Sequence, residues 1–157
     1  MSTTPTRNVW NAINDEWDRA RQDFVGFLKA QPAEFLELNV EGNQKSVKGI
    51  MGHVAGAAYA FPGRILTAMN KPVPPVKYPD IRTSQNLDEL WDALEDIRKY
   101  QIEATAGLTD QDLGWIMIAF GQKPTTAEFV MEHAIVHFLK HRRQLDRAKR
   151  GELKTWK

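Results

Sequence analysis

From Thr125 to Arg150 the chain reads TTAEFVMEHAIVHFLKHRRQLDRAKR, one uninterrupted stretch with a defined start and a single apolar face. Thr125 precedes Glu128 by three residues, the spacing of a reciprocal cap, and Pro124 discourages an earlier helical turn. Val130, Ala134, Phe138 and Leu145 recur at helical spacing, so this segment is predicted as a long amphipathic helix with one buried stripe. A helix of that kind needs other apolar helix faces against which to bury itself.

The rest of the chain supplies them. Trp10, Ile13, Trp17, Ala20, Phe24 and Leu28 mark the inner face of a first helix over residues 8–30, with Asn8 as its expected cap. Ser46 caps a second, whose Ile50, Val54, Ala57, Ala58, Phe61 and Ile65 point inward. Small residues crowd this helix (Gly52, Ala55, Gly56, Ala57, Ala58, Ala60), which suits close packing or a hollow beside His53, and Pro62 should kink it. A third helix starts at Asn86, runs to Ala106 and buries Leu87, Leu90, Trp91, Leu94, Ile97 and Gln101. Between the second and third lies KPVPPVKYPDIRT, whose four prolines favour an extended form. At about 3.1 Å per residue such a segment covers roughly 40 Å, the length of a helix. An antiparallel hairpin needs no such span, so an overhand crossover is expected, with helices two and three running in the same direction. Trp115–Phe120, closed by Gly121-Gln122, suggests a short extended excursion.

These segments define an all-α fold, a four-helix bundle forming one domain over residues 1–157. The net charge of +1 provides no global field for nucleic acid or an anionic membrane. The basic cluster Arg142, Arg143, Arg147, Lys149 and Arg150 sits where a helix C-terminus favours cations, and no aromatics interleave it. No run approaches the roughly 18 apolar residues of a membrane span, and the first residues lack a signal-peptide core, so a cytoplasmic location is expected. The absence of cysteine removes disulfides, thiolate ligands and a cysteine nucleophile; any thiol must arrive on a small molecule.

Three of the four histidines, His133, His137 and His141, fall within nine residues of the last helix. Residues four apart lie roughly 6 Å apart along the axis and on one side, so an adjacent pair can share a divalent ion, whereas the outer two are about 12 Å apart. A third ligand must come from elsewhere, and His53 is the remaining histidine. The alternative is a stripe of partly buried histidines that only hydrogen-bond their neighbours.

The segments SVKGIMGHVAG and HFLKHRRQL, in this helix order, resemble the DinB/YfiT-like family over essentially the whole chain. The resemblance implies that His53, His137 and His141 hold one divalent metal, with zinc or nickel favoured and iron or manganese acceptable, and that His133 need not ligate it. It points to Arg142 and Gln144 as residues orienting ligand or substrate. Apart from the resemblance, Tyr59 and Arg64 lie further along the second helix, where they are candidates for the pocket wall. Two positions depart from the family pattern: Lys140, where many members have another histidine, and Arg143, where glycine is frequent. The activity implied is a thiol-dependent S-transferase of stress or detoxification chemistry, using a low-molecular-weight thiol and a small-molecule substrate, in a homodimer. A metal-dependent hydrolase that activates water, and a non-enzymatic helical dimerisation or binding protein, are the alternatives.

Overall fold

Four long helices pack around one apolar core in a computed structural model that describes residues 6–156. They are α1 (Asn8–Lys29), α3 (Val47–Ala68), α4 (Leu87–Thr105) and a final helix in three pieces. The final helix comprises α5 (Thr126–Phe129), a π-helical segment (Val130–Ile135) and α6 (Val136–Lys149). A one-turn helix, α2 (Ala33–Leu36), follows α1 where the motif PAEFLEL stands. The final helix is therefore not the uninterrupted α-helix expected. Its i→i+5 turn inserts slack directly before His137 and resets which residues face the core afterwards.

The caps follow side-chain chemistry. Ser46 Oγ accepts from the Gly49 N–H at 2.9 Å, Asn86 Oδ1 from Glu89 at 3.1 Å, and Thr125 Oγ1 from Glu128 at 3.2 Å. Asn8 does not cap α1 as expected; it is the first helical residue. The Asp110 carboxylate takes that role from a distant loop, accepting from the Val9 and Trp10 N–H groups at 3.1 and 2.9 Å. An anion at a helix N-terminus also suits the macrodipole.

Chain direction follows from cross-helix pairs. Gly52 lies against Ile81 and Arg82, while Tyr59, about two turns later, donates to Asp96 at 2.6 Å and packs on Tyr100. The pairings ascend together, so α3 and α4 are parallel. The proline-rich link passes Gly63 and accepts from Tyr100 at Pro74 before returning to Gly52: it is the overhand crossover. Between α1 and α4 the pairs descend instead, Asn14 with Gln101 and Lys29 with Glu95, and these two are antiparallel. Gln101, Asn14 and Thr105 are buried and satisfy one another, which accounts for the polar residue on the inner face of α4.

Gly52 sits where the crossover docks: a Cβ there would lie 2.7 Å from the Ile81 carbonyl oxygen. The small-residue stripe of α3 thus permits close backbone approach next to His53. Helix α3 continues through Pro62. The Trp115–Phe120 excursion folds back on itself through bridges Ile116–Thr125 and Ala119–Gln122, with Phe120 and Gly121 both at positive φ. Two short strands, β1 (Asn39–Val40) and β2 (Thr155–Trp156), pair antiparallel and tie the C-terminal segment beside the start of α3.

Candidate metal centre

His53 on α3 meets His137 and His141 on α6 where the two helices pack antiparallel. Ring centroids are 4.8 Å apart from His53 to each partner and 4.5 Å between His137 and His141. One nitrogen from each ring falls within 4.8 Å of the others, and His53 Nε2 is 3.0 Å from His137 Nε2. His133 is held apart. It lies in the π segment against Phe120 (4.7 Å) and Phe129 (5.6 Å), facing the excursion rather than the cluster.

Gln144, one turn beyond His141, accepts a hydrogen bond from His141 Nδ1–H at 2.7 Å. That bond puts the proton on Nδ1 and leaves the Nε2 lone pair for the centre, the arrangement that ligating histidines use. Arg142 turns the other way. Its guanidinium stacks 3.9 Å from the centre of the Phe27 ring and pairs with Asp23 at 3.5 Å, fastening α6 to α1. Tyr59 is engaged by Asp96, and Arg64 lies over the Phe120 ring, so neither faces the histidines. Arg82, on the crossover turn, escaped the sequence reading. Its guanidinium donates to His53 Nδ1 at 3.4 Å. The signal was indirect: a returning crossover has to bring the residues before Asn86 back to the first turns of α3.

Electrostatics keep the rings neutral. Burial, then the charge of His141, Arg82 and Lys140, lowers His53 to about 4. Burial followed by His141 and His53 lowers His137 to about 3. Burial also lowers His141, with Lys140 adding to the effect and the Gln144 bond opposing it. Neutral imidazoles carry the lone pairs that a metal requires. Zinc–nitrogen bonds of about 2.0–2.1 Å set ligand nitrogens roughly 3.3 Å apart, so the donor set fits a divalent ion with small ring rotations. Arg82 is the one misfit, because a ring that ligates through Nε2 carries its proton on Nδ1, facing a group that can only donate. The arginine is exposed and rooted on a short turn, and it can withdraw.

A pH dependence follows for the metal-free protein. The unfolded chain protonates these rings near pH 6.5, whereas folded His53 and His137 wait until about 4 and 3. Between those values the unfolded state binds more protons, so stability falls as pH drops from 6.5 towards 4 and below. Thermal midpoints of the metal-free protein should decline across that window, and replacing all three histidines with glutamine should flatten the decline. An equal decline in parent and variant would show that the rings are not buried as neutral groups.

A bundle with parallel α3 and α4 and three histidines converging from α3 and α6 defines a class, the three-histidine helical bundles. The sequence profile of the DinB superfamily matches residues 16–145, and the chain belongs to that superfamily. The fold is similar to that of a DinB-like protein from Bacillus cereus ATCC 10987, with a TM-score of 0.67 at 19% identity over 92% of this chain and 93% of the other. No curated protein matches the sequence.

Proposed function

We propose that the chain is a divalent-metal-dependent enzyme that transfers a low-molecular-weight thiol onto an electrophilic small molecule. The observation that carries this reading is the convergence of three neutral imidazoles from two helices, with nitrogens within 4.8 Å of one another. Three nitrogen ligands leave coordination positions open, which is how catalytic rather than structural zinc is held. The bound ion would supply a Lewis acid that makes thiol ionisation favourable at neutral pH. His53, His137 and His141 would hold it, and Gln144 would fix the His141 tautomer. In the reaction the thiol sulfur forms a C–S bond, the bond to the leaving group breaks with its electron pair, and the thiol proton passes to solvent. Because the chain lacks cysteine, the sulfur comes from the cosubstrate.

Homodimer formation and a cytoplasmic site of action belong to the same proposal. Trp115, Ile116, Ile118 and Phe120 project from the excursion, Ile118 with 81% of its surface exposed, and would suit a face shared between copies. No described helix is long and apolar enough to cross a membrane.

The test loads the protein with zinc or nickel and follows loss of 1-chloro-2,4-dinitrobenzene with and without added thiol. Turnover that requires both metal and thiol is the expected result. Metal-dependent loss of electrophile without thiol would replace transfer by hydrolysis, and no turnover with a panel of thiols and electrophiles would remove the enzymatic reading.

A further inference from the structure

A groove of about 1100 Å³ opens beside His141, between the loop at Glu41–Gln44 and the outer face of α6. Lys140, Arg143 and Arg147 line it at helical spacing, and Glu41 is its single acidic residue. For a chain of net charge +1 this is a local concentration of positive charge. The helix dipole explains Arg147 in the last turn, but its influence ends within one turn and does not reach Lys140, nine residues before Lys149. Arg147 also meets Glu152, and Arg142 pairs with Asp23 and Asp146. Among the described residues, Lys140 and Arg143 pair with no carboxylate. His141 itself lines the groove and belongs to the histidine cluster, so the groove opens directly onto that centre. Beyond the histidines, Arg82 is a further cation whose guanidinium, among the described residues, hydrogen-bonds only to His53 Nδ1.

We propose that this groove binds the carboxylate-bearing end of the thiol cosubstrate, so that the enzyme selects dianionic thiols over neutral or cationic ones. The inference rests on the thiol-transfer reading for the identity of the ligand's other end. The cations themselves argue only for an anion of small-molecule size: unpaired ammonium and guanidinium groups in a concave site favour carboxylates through charge-assisted hydrogen bonds. Gln144 connects the two parts, with its Oε1 on His141 and its Nε2 3.6 Å from where a Gly42 Cβ would stand in the groove wall.

The experiment titrates the full chain, zinc-loaded and metal-free, with mercaptosuccinate, succinate, 2-mercaptoethanol and cysteamine in a calorimeter. Zinc-loaded protein should bind mercaptosuccinate at least about tenfold more tightly than 2-mercaptoethanol, with cysteamine weakest. Succinate should bind the metal-free protein, more weakly at high salt. The double variant Lys140→Gln/Arg143→Gln should lose at least about tenfold for both dianions while keeping its zinc content. Equal affinity for mercaptosuccinate and 2-mercaptoethanol at matched zinc content, or unchanged affinities in the double variant, would overturn the proposal. If the parent fails to load zinc, the thiol reading falls, and succinate binding to the metal-free protein still decides whether the groove is an anion site.

Discussion

Replacing His137 with alanine is expected to abolish stoichiometric zinc or nickel binding while leaving helical content intact. His137 is the middle member of the cluster, 3.0 Å from His53 through Nε2 and 4.5 Å between ring centres from His141. Without it, one ligand remains on each helix, and two imidazoles form an incomplete site. Removing a residue that merely orients a ligand costs about 10–100-fold in metal affinity, so deleting a ligand should cost more than about 100-fold. Gln144→Ala is the graded comparison: it frees the His141 tautomer and should fall within that smaller range. The fold should tolerate the ligand change, because it removes a desolvated ring that makes few polar contacts. Metal analysis after gel filtration, with competition against a chelator of known affinity, reads both effects. A His137→Ala protein that keeps a full equivalent of metal would exclude this residue as a ligand, and a parent that binds none would remove the centre altogether.

How far the sequence foretold this molecule depends on the element. The stripes of α1 and α3 reappear as buried residues, Trp10, Trp17 and Phe24 wholly so, because amphipathic periodicity is enforced by burial along one face. The crossover was legible because four prolines make an extended segment whose reach is fixed by covalent geometry. The π segment was not read, although its trace was present: Val130, Ala134 and Phe138 advance by four twice in succession, wider than the 3.6 residues of an α-turn. That insertion helps explain why His133 faces Phe120, a distinction that spacing alone left open and the family resemblance supplied. Arg142 and Arg143 are adjacent and chemically alike, yet one is drawn to Phe27 and Asp23 and the other lines the groove. Only the rotation of α6 against α1 separates them, and no local pattern encodes it. The pairing of β1 with β2 joins segments more than a hundred residues apart and left no signal in either.

Phe138→Ala should produce the largest loss of stability and, through it, show how closely the metal centre and the core are joined. Phe138 lies between the two α6 histidines in sequence, about 100° around the helix from His137, 1% exposed, its ring edge-on to Phe24 of α1 at 5.9 Å between centres. Truncating a buried phenylalanine removes transfer free energy and leaves a cavity, together about 3–5 kcal/mol. Set against a total of roughly 5–15 kcal/mol for a domain, this is a large fraction, and it corresponds to a midpoint lowered by roughly 6–20 °C. Metal should restore part of it. An ion that binds only the folded state at a hundred times its dissociation constant adds about 2.7 kcal/mol, comparable to half or more of the loss. Thermal melts of Phe138→Ala with and without zinc should therefore differ by several degrees, and the same comparison on His137→Ala should show no difference. A Phe138→Ala protein as stable as its parent would mean that α6 does not seat this face against α1. One that is destabilised yet unmoved by zinc, while zinc does raise the parent's midpoint, would mean that seating the helix on α1 is what brings His137 and His141 within reach of His53.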